Sequence, residues 1–389
     1  MKGHPPANIS YVSVLASKRA GSVMLGAARC TRCVRRPKVL LTLLLLLAAI
    51  MWAAARTLDR CRRSLLGCGP RYNQRLPNPA AEVERLAQAG GWQAALSVLQ
   101  SPRSAKHVIV DARYGLGNRL RAVASAMSVA AAANRPLLVV WVPDGHCNCS
   151  LRRLFASPLP FALLEQELPM ASMQPELFQS FNYMPGESGS VKREWVRLDR
   201  SRHLFVRTAY RIAHERGEWP FAARKLRELR PRSELVQWLV ADSSMVGLHV
   251  RGVVDAISDY GANGTAALTS WREKGSWPKF VERMRAEPSW RRFYLAADSA
   301  EAFDGLDAAF PGRVVTNAEG IARCRRGRCD LDRGCEAMGI ALTDILNLAR
   351  TGRLLGSGYS SFSEVARFYG TDDALLGTEL SFEAAGIDF

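Results

Sequence analysis

From Lys106 onward short apolar runs alternate with amphipathic stretches, and this alternation limits the fold more than any single motif does. HVIVD (107–111) reads as a buried strand, GLGNRL (115–120) as a turn, the Ala-rich stretch to Asn134 as a helix, and RPLLVVWV (135–142) as the next strand. A second series starts near Met245. Its strands are VGLHV (246–250), RFYLAAD (292–298), RVVT (313–316) and RLLGS (353–357), and its helices are WPKFVERM, AEAFDGLDAAF, EAMGIALTDILNLAR and SFSEVARFYG. Such alternation covers both faces of a parallel sheet. We therefore expect an α/β chain with two Rossmann-like domains, 106–240 and 241–389, facing a cleft. The stretch from about 150 to 240 shows no clear period.

Ahead of this lies VLLTLLLLLAAIMWAAA, residues 39–55, seventeen residues without a charge between Lys38 and Arg56. As a helix it reaches about 26 Å, enough for a thin bilayer, and no polar face remains to meet water. The expectation is a single transmembrane signal anchor, with residues 1–38 as a basic cytoplasmic tail and 56–105 as a stem. Bases number six on each flank, so the positive-inside count is tied. Position breaks the tie in favour of a type II Golgi or ER protein with its globular part in the lumen. Cleavage after Ala53-Ala54-Ala55 and an organelle transit peptide are the alternatives.

Eight of the 53 bases and none of the 36 acids lie in residues 1–38, so the remainder carries 45 against 36, or +9. That excess is spread along the chain, which argues against nucleic acid as a partner. Seven cysteines follow the apolar run: Cys61, Cys68, Cys147, Cys149, Cys324, Cys329 and Cys335. The number is odd, so at least one stays free or pairs between chains. Cys324, Cys329 and Cys335 fit a disulfide-tied loop better than a metal knuckle. Asn148-Cys149-Ser150 and Asn263-Gly264-Thr265 are N-glycosylation sequons.

In parallel sheets ligands meet the chain where strands end. Four such junctions carry chemistry. At the first, Gly115, Gly117 and Asn118 form a turn that opens a helix, suited to close approach by an anion or to no ligand at all. Leu120 stands at the third glycine position of a dinucleotide fingerprint, which excludes that reading. At the second, His249 and Arg251 end a strand, with Asp255 and Asp259 beyond. A forked guanidinium there suits phosphate, whereas the histidine also fits a core role. At the third, Asp298 faces a ribose or base, or caps the next helix. At the fourth, Ser360, Ser361 and Phe362 open a helix, offering N–H groups and hydroxyls to phosphate, or form an ordinary cap with Glu364.

In order and separation, GLGNRL, VGLHVR, FYLAADS and LLGSGYSSFSEVA resemble the motifs of the fucosyltransferase-like superfamily, over about residues 106–370. That group of inverting, GT-B-fold glycosyltransferases includes α1,6-fucosyltransferases, nodulation fucosyltransferases and protein O-fucosyltransferases. The resemblance implies that Arg251 contacts the pyrophosphate of a GDP-sugar and that Asp298 meets the guanine or ribose. It further implies that Ser360 and Ser361 meet the phosphates, with His249 and Phe362 beside them. Asn118, Gly115, Gly117 and Arg119 would line the cleft near the transferred sugar. It implies no metal and no cofactor besides the donor, with a glycan or protein hydroxyl as acceptor. Gly252 and Val254 depart from the family, where a second Arg and an acid are common. Asp255 and Asp259 are the candidate acceptor bases. Two other readings stand beside this one: a metal-dependent GT-A transferase using Asp330 and Asp332, and a membrane-anchored sugar-binding protein without turnover.

Overall fold

The computed structural model describes residues 79–389 apart from 102–103, 185–186, 188–192, 253–268, 271, 328, 330–331, 359, 371–380 and 386–389. The tail, the apolar run 39–55, Asp255, Asp259, Asn263 and Asp330 lie outside the described residues. Among those described, no helix is long and apolar enough to cross a membrane.

Two five-stranded sheets form, and every pairing in them is parallel. The first contains β1 (Val108–Ala112), β2 (Leu137–Val140), β3 (Ala162–Leu164), β4 (Phe178–Asn182) and β5 (His203–Thr208), in the order β3-β2-β1-β5-β4. The second contains β6 (Val246–Val250), β7 (Phe293–Ala297), β8 (Val314–Thr316), β9 (Arg353–Ser357) and β10 (Ser381–Ala385), in the order β10-β9-β6-β7-β8. β1 and β6 are central and buried throughout, which explains why each reads as an unbroken apolar run rather than an alternating one. β3, β4 and β5 come from the stretch where the sequence showed no period.

Helices cover the sheets. α1 is Pro79–Leu99 and α2 is Leu116–Ala133. α3 (Trp219–Leu226), α4 (Trp277–Arg285), α5 (Ala300–Ala309), α6 (Ala318–Arg325), α7 (Cys335–Arg350) and α8 (Ser361–Tyr369) follow. α2 is Ala-rich because it lies in the interior, where small side chains let neighbouring elements approach. Its end is fixed by Asn134 at φ 52, a left-handed cap that asparagine tolerates.

One core joins Val110, Leu120 and Val123 to Leu342, Ile345, Leu354 and Val365, so it is continuous from the first sheet to the second. Val83, Trp92, Ala95 and Leu99 of α1 bury against Ile109, Leu138 and Phe205 on the outer face of the first sheet. The helix at 79–99, expected within a stem, therefore packs into the folded unit instead of acting as a spacer. A kink at Gly91, φ 75, accommodates that packing.

Cys149, after β2, is bonded to Cys335, the first residue of α7, across 186 positions of sequence. Beside it the Asn148 N–H donates to the Arg333 carbonyl at 2.8 Å. Cys324 pairs with Cys329, closing the turn after α6. Cys335 is thus not part of that local loop, contrary to the grouping of the three cysteines by spacing. Cys147 is a buried free thiol whose pKa burial pushes up to about 11. Non-reducing peptide mapping should recover the Cys149 and Cys335 peptides as one species. Replacing both with serine should lower stability by roughly 2–5 kcal/mol, measured by urea unfolding, because the closed loop is long.

Candidate functional site

The first three junctions lie where β1, β6 and β7 end, and the fourth follows β9. Parallel strands bring those ends to one side of each sheet, and a cavity of about 590 Å³ opens there. Gly115 lines it from the β1–α2 loop, Gly117 and Asn118 from the first turn of α2, His249 and Arg251 from the end of β6, and Asp298 from the end of β7. Ser360, Ser361 and Phe362 line it from the start of α8. Asp255 and Asp259 lie outside the described residues.

Two contacts hold the glycine loop against the serine-rich helix start. A Cβ on Gly117 would fall 2.9 Å from the Ser361 backbone, so only glycine allows the approach. Arg121 of α2 donates to Glu364 of α8 at 2.9 Å, to Asn118 Oδ1 at 2.8 Å and to the Ala209 carbonyl at 2.8 Å. Glu364 also accepts from Trp219 Nε1. It is therefore not the capping partner of the serine motif, and Ser360, at the N-cap position, makes no side-chain capping bond.

At the end of β6, the Arg251 N–H donates to Ser357 Oγ at 2.8 Å, and that hydroxyl donates to the His249 carbonyl at 3.0 Å. The next N–H, of Gly252, donates to Asp298 Oδ1 at 2.9 Å. One oxygen of Asp298 thus shapes the loop. His249 stacks on Phe362, with centroids 4.6 Å apart, and its Nδ1 lies 2.6 Å from Ser363 Oγ. Burial first, then the positive charges of Arg251 and Arg272, push its pKa down to about 3. The imidazole is neutral, packed and cavity-lining at once.

Arg119 does not reach the cavity. Fully buried, it donates to the carbonyls of Tyr114 (2.6 Å) and Val142 (2.7 Å) and to Asp144 Oδ2 (2.6 Å), with its guanidinium over the Trp141 ring. The expectation that it lines the cleft is corrected: every arm of the fork is spent on the two loops that follow β1 and β2. Asp332 of the alternative metal pair accepts from Arg323 and from the Gly334 N–H, 2.9 Å away. Among the described residues no group of three or more potential ligands could hold a metal ion.

The sequence reading missed Arg272 and Asp344, both at the cavity wall. Asp344 accepts from the Tyr294 hydroxyl at 2.6 Å, and Asn317 also bonds it. Burial outweighs both hydrogen bonds and pushes its pKa up to about 7. An acid inside the apolar period of ALTDILNLA was the available signal.

No protein-family model matches the chain, and no curated protein matches it. Among solved structures, NodZ α-1,6-fucosyltransferase soaked with GDP-fucose is similar at TM-score 0.45 and 20% identity, covering 68% of this chain and 92% of that one. Fucosyltransferase NodZ from Bradyrhizobium is similar at TM-score 0.45 and 19% identity, over 68% and 93%. Arabidopsis thaliana FUT1 in complex with GDP gives TM-score 0.45 and 14% identity, over 75% and 76%. POFUT1 in complex with GDP gives TM-score 0.45 and 11%, over 73% and 99%.

Two outcomes follow from the geometry. Arg119→Ala should cost roughly 3–5 kcal/mol in urea unfolding, since it strands buried acceptors, and Arg119→Lys should not restore the loss because one ammonium cannot match the fork. Asp344 has a folded pKa above its unfolded one, so its burden on stability is absent below the ordinary carboxylate range and grows as pH rises towards 7. Asp344→Asn should raise Tm at pH 8, and the gain should shrink towards pH 4 in a fluorimetric melt.

Proposed function

We propose that the chain is an inverting, metal-independent glycosyltransferase that transfers fucose from GDP-fucose to a glycan or protein hydroxyl. The observation that carries this reading is the meeting of four separate strand-end motifs in one cavity, with Arg251 and the first turn of α8 both on its wall. That volume is in the range of small-molecule sites. The resemblance in motif order agrees with it.

In this reading the diphosphate lies between Arg251 and the N–H groups and hydroxyls of Ser360 and Ser361. A forked cation and a helix N-terminus both favour negative charge, and they favour it more as the leaving group gains charge. His249, buried against Phe362 and bonded to Ser363 Oγ, fills and orients, and its lowered pKa makes it too weak a base to serve the acceptor. Asp344 accepts from the paired N–H donors on the guanine edge. Uracil offers a single N–H between two carbonyl oxygens, so the same carboxylate selects against UDP-sugars. Asp298, at the end of β7 on the cavity wall, serves the ribose, and Asp255 and Asp259 remain the proposed bases.

We further propose the domain division 106–240 and 241–389 and a type II Golgi or ER anchor at 39–55, supported by the uncharged run and by two disulfides that suit an oxidising lumen. Asn148, exposed and within a sequon, is a proposed glycan site.

Donor cleavage by the full chain in detergent, across GDP- and UDP-sugars with and without EDTA, tests the reading. GDP-fucose should be cleaved with EDTA present, and Arg251→Ala should lower turnover by roughly 100-fold. Manganese-dependent use of a UDP-sugar would support the GT-A alternative, and tight GDP-sugar binding without turnover would support a lectin.

A further inference from the structure

Donor binding leaves one feature of the β1–α2 loop unexplained. Tyr114 has φ 65, in the left-handed region, while its neighbour Gly115 has φ −69. An aromatic residue therefore occupies the position whose backbone suits glycine, and glycine occupies an ordinary one. Strain of this kind persists where surrounding structure imposes it. Here the imposing group is Arg119, whose Nε donates to the Tyr114 carbonyl. Its Nη2 holds Asp144, and Asp144 Oδ1 in turn accepts the His146 N–H at 2.8 Å. One buried guanidinium thus fixes two loops at once. The rings they carry, Tyr114 and His146, meet edge to face with centroids 5.1 Å apart, and both line the cavity. They belong to the first-sheet side, whereas Arg251, Asp298 and the α8 start belong to the second.

We propose that Tyr114 and His146 form the acceptor subsite and that it takes a sugar ring rather than a peptide side chain. This rests on the glycosyltransferase reading. Rigid aromatic rings with polar tips suit a pyranose, which presents a C–H face for stacking and hydroxyls for the phenol and imidazole. Because the pair is set before binding, little side-chain freedom is lost on contact. A peptide taken up by strand addition is held through main-chain hydrogen bonds along an open sheet edge, and these two loops present rings instead.

The test uses the full chain, GDP-fucose, and two acceptor pools: N-glycans released from serum glycoproteins, and synthetic hexapeptides containing serine or threonine. Wild type should transfer to the glycans and not to the peptides. Tyr114→Gly and His146→Gln should each raise the acceptor KM at least tenfold, while the Kd for GDP, by calorimetry, moves less than threefold. Tyr114→Gly should melt no lower than wild type, since glycine is at home at that φ. Transfer to peptides alone, transfer to neither pool by a chain that binds GDP, or wild-type acceptor KM in folded variants would each overturn the subsite. Failure of wild type to bind GDP or GDP-fucose would instead remove the transferase reading, and the subsite with it.

Discussion

The carboxylate of Glu364 holds together the two halves of the cavity. It sits in the first turn of α8, where a negative charge is favoured by the helix dipole, and accepts from Arg121 of α2 and Trp219 of α3. Arg211 lies 3.8 Å away. Because the same Arg121 fork also fixes Asn118 and the Ala209 carbonyl, the glycine loop and the serine-rich helix start are set relative to each other by one ion pair. Gly117 makes the approach sterically possible, and the ion pair makes it specific. Further along α8, Phe368 stacks on Trp219 at 4.4 Å and its carbonyl accepts from Arg227. The last helix of the second sheet thus rests on helices of the first.

Within the cavity charge and burial are set against each other. Arg251, Arg272 and Arg323 all line it, and Arg272 and Arg323 are buried. A charged histidine among them would add a further desolvated cation. His249 is kept neutral by burial and by two of those arginines, and it fills space against Phe362 instead. Asp344 is the opposite case: a carboxyl in the same wall whose pKa burial pushes up to about 7, against the hydrogen bonds of Tyr294 and Asn317. Both groups are costly in isolation, as residues shaped for a ligand tend to be.

The parallel α/β character was legible because β1, β6, β7 and β9 are buried on both faces, leaving unbroken apolar runs between helical periods. β3, of three residues, and β4, with an exposed centre, carry too little pattern to be read. Of the site, the strand-end motifs were legible as glycine, arginine and serine at strand termini, since local spacing encodes them. Arg119 was not, because a motif shows a residue's type and not which way its side chain turns. Nor was the Glu364 pin, whose partner Arg121 is 243 positions away, nor the Cys149–Cys335 link, where no local spacing relates the two cysteines.

Those long-range pairs also bear on which base the chain uses. The sequence has 45 arginines and only 8 lysines, a bias that net charge alone would not require. Arginine presents five donors in a planar fork, so one side chain can hold several acceptors in fixed directions, whereas a lysine ammonium cannot. Arg119 spans two carbonyls and a carboxylate, and Arg135 spans the carbonyls of Asp199 and Arg202. Arg207 joins Asp111 to the Leu168 carbonyl, and Arg313 joins the carbonyls of Arg291 and Pro288. Asp111, the last residue of the HVIVD run, is held by Arg113 and Arg207. These forks satisfy backbone acceptors at loops and strand ends, which a fold with many βα junctions leaves in quantity. The forks thus explain the preference for arginine over lysine; the net charge itself falls mostly in residues 1–78, outside the described residues. Arg251, at the end of β6, puts the same fork on the cavity wall, where the proposed diphosphate would meet it.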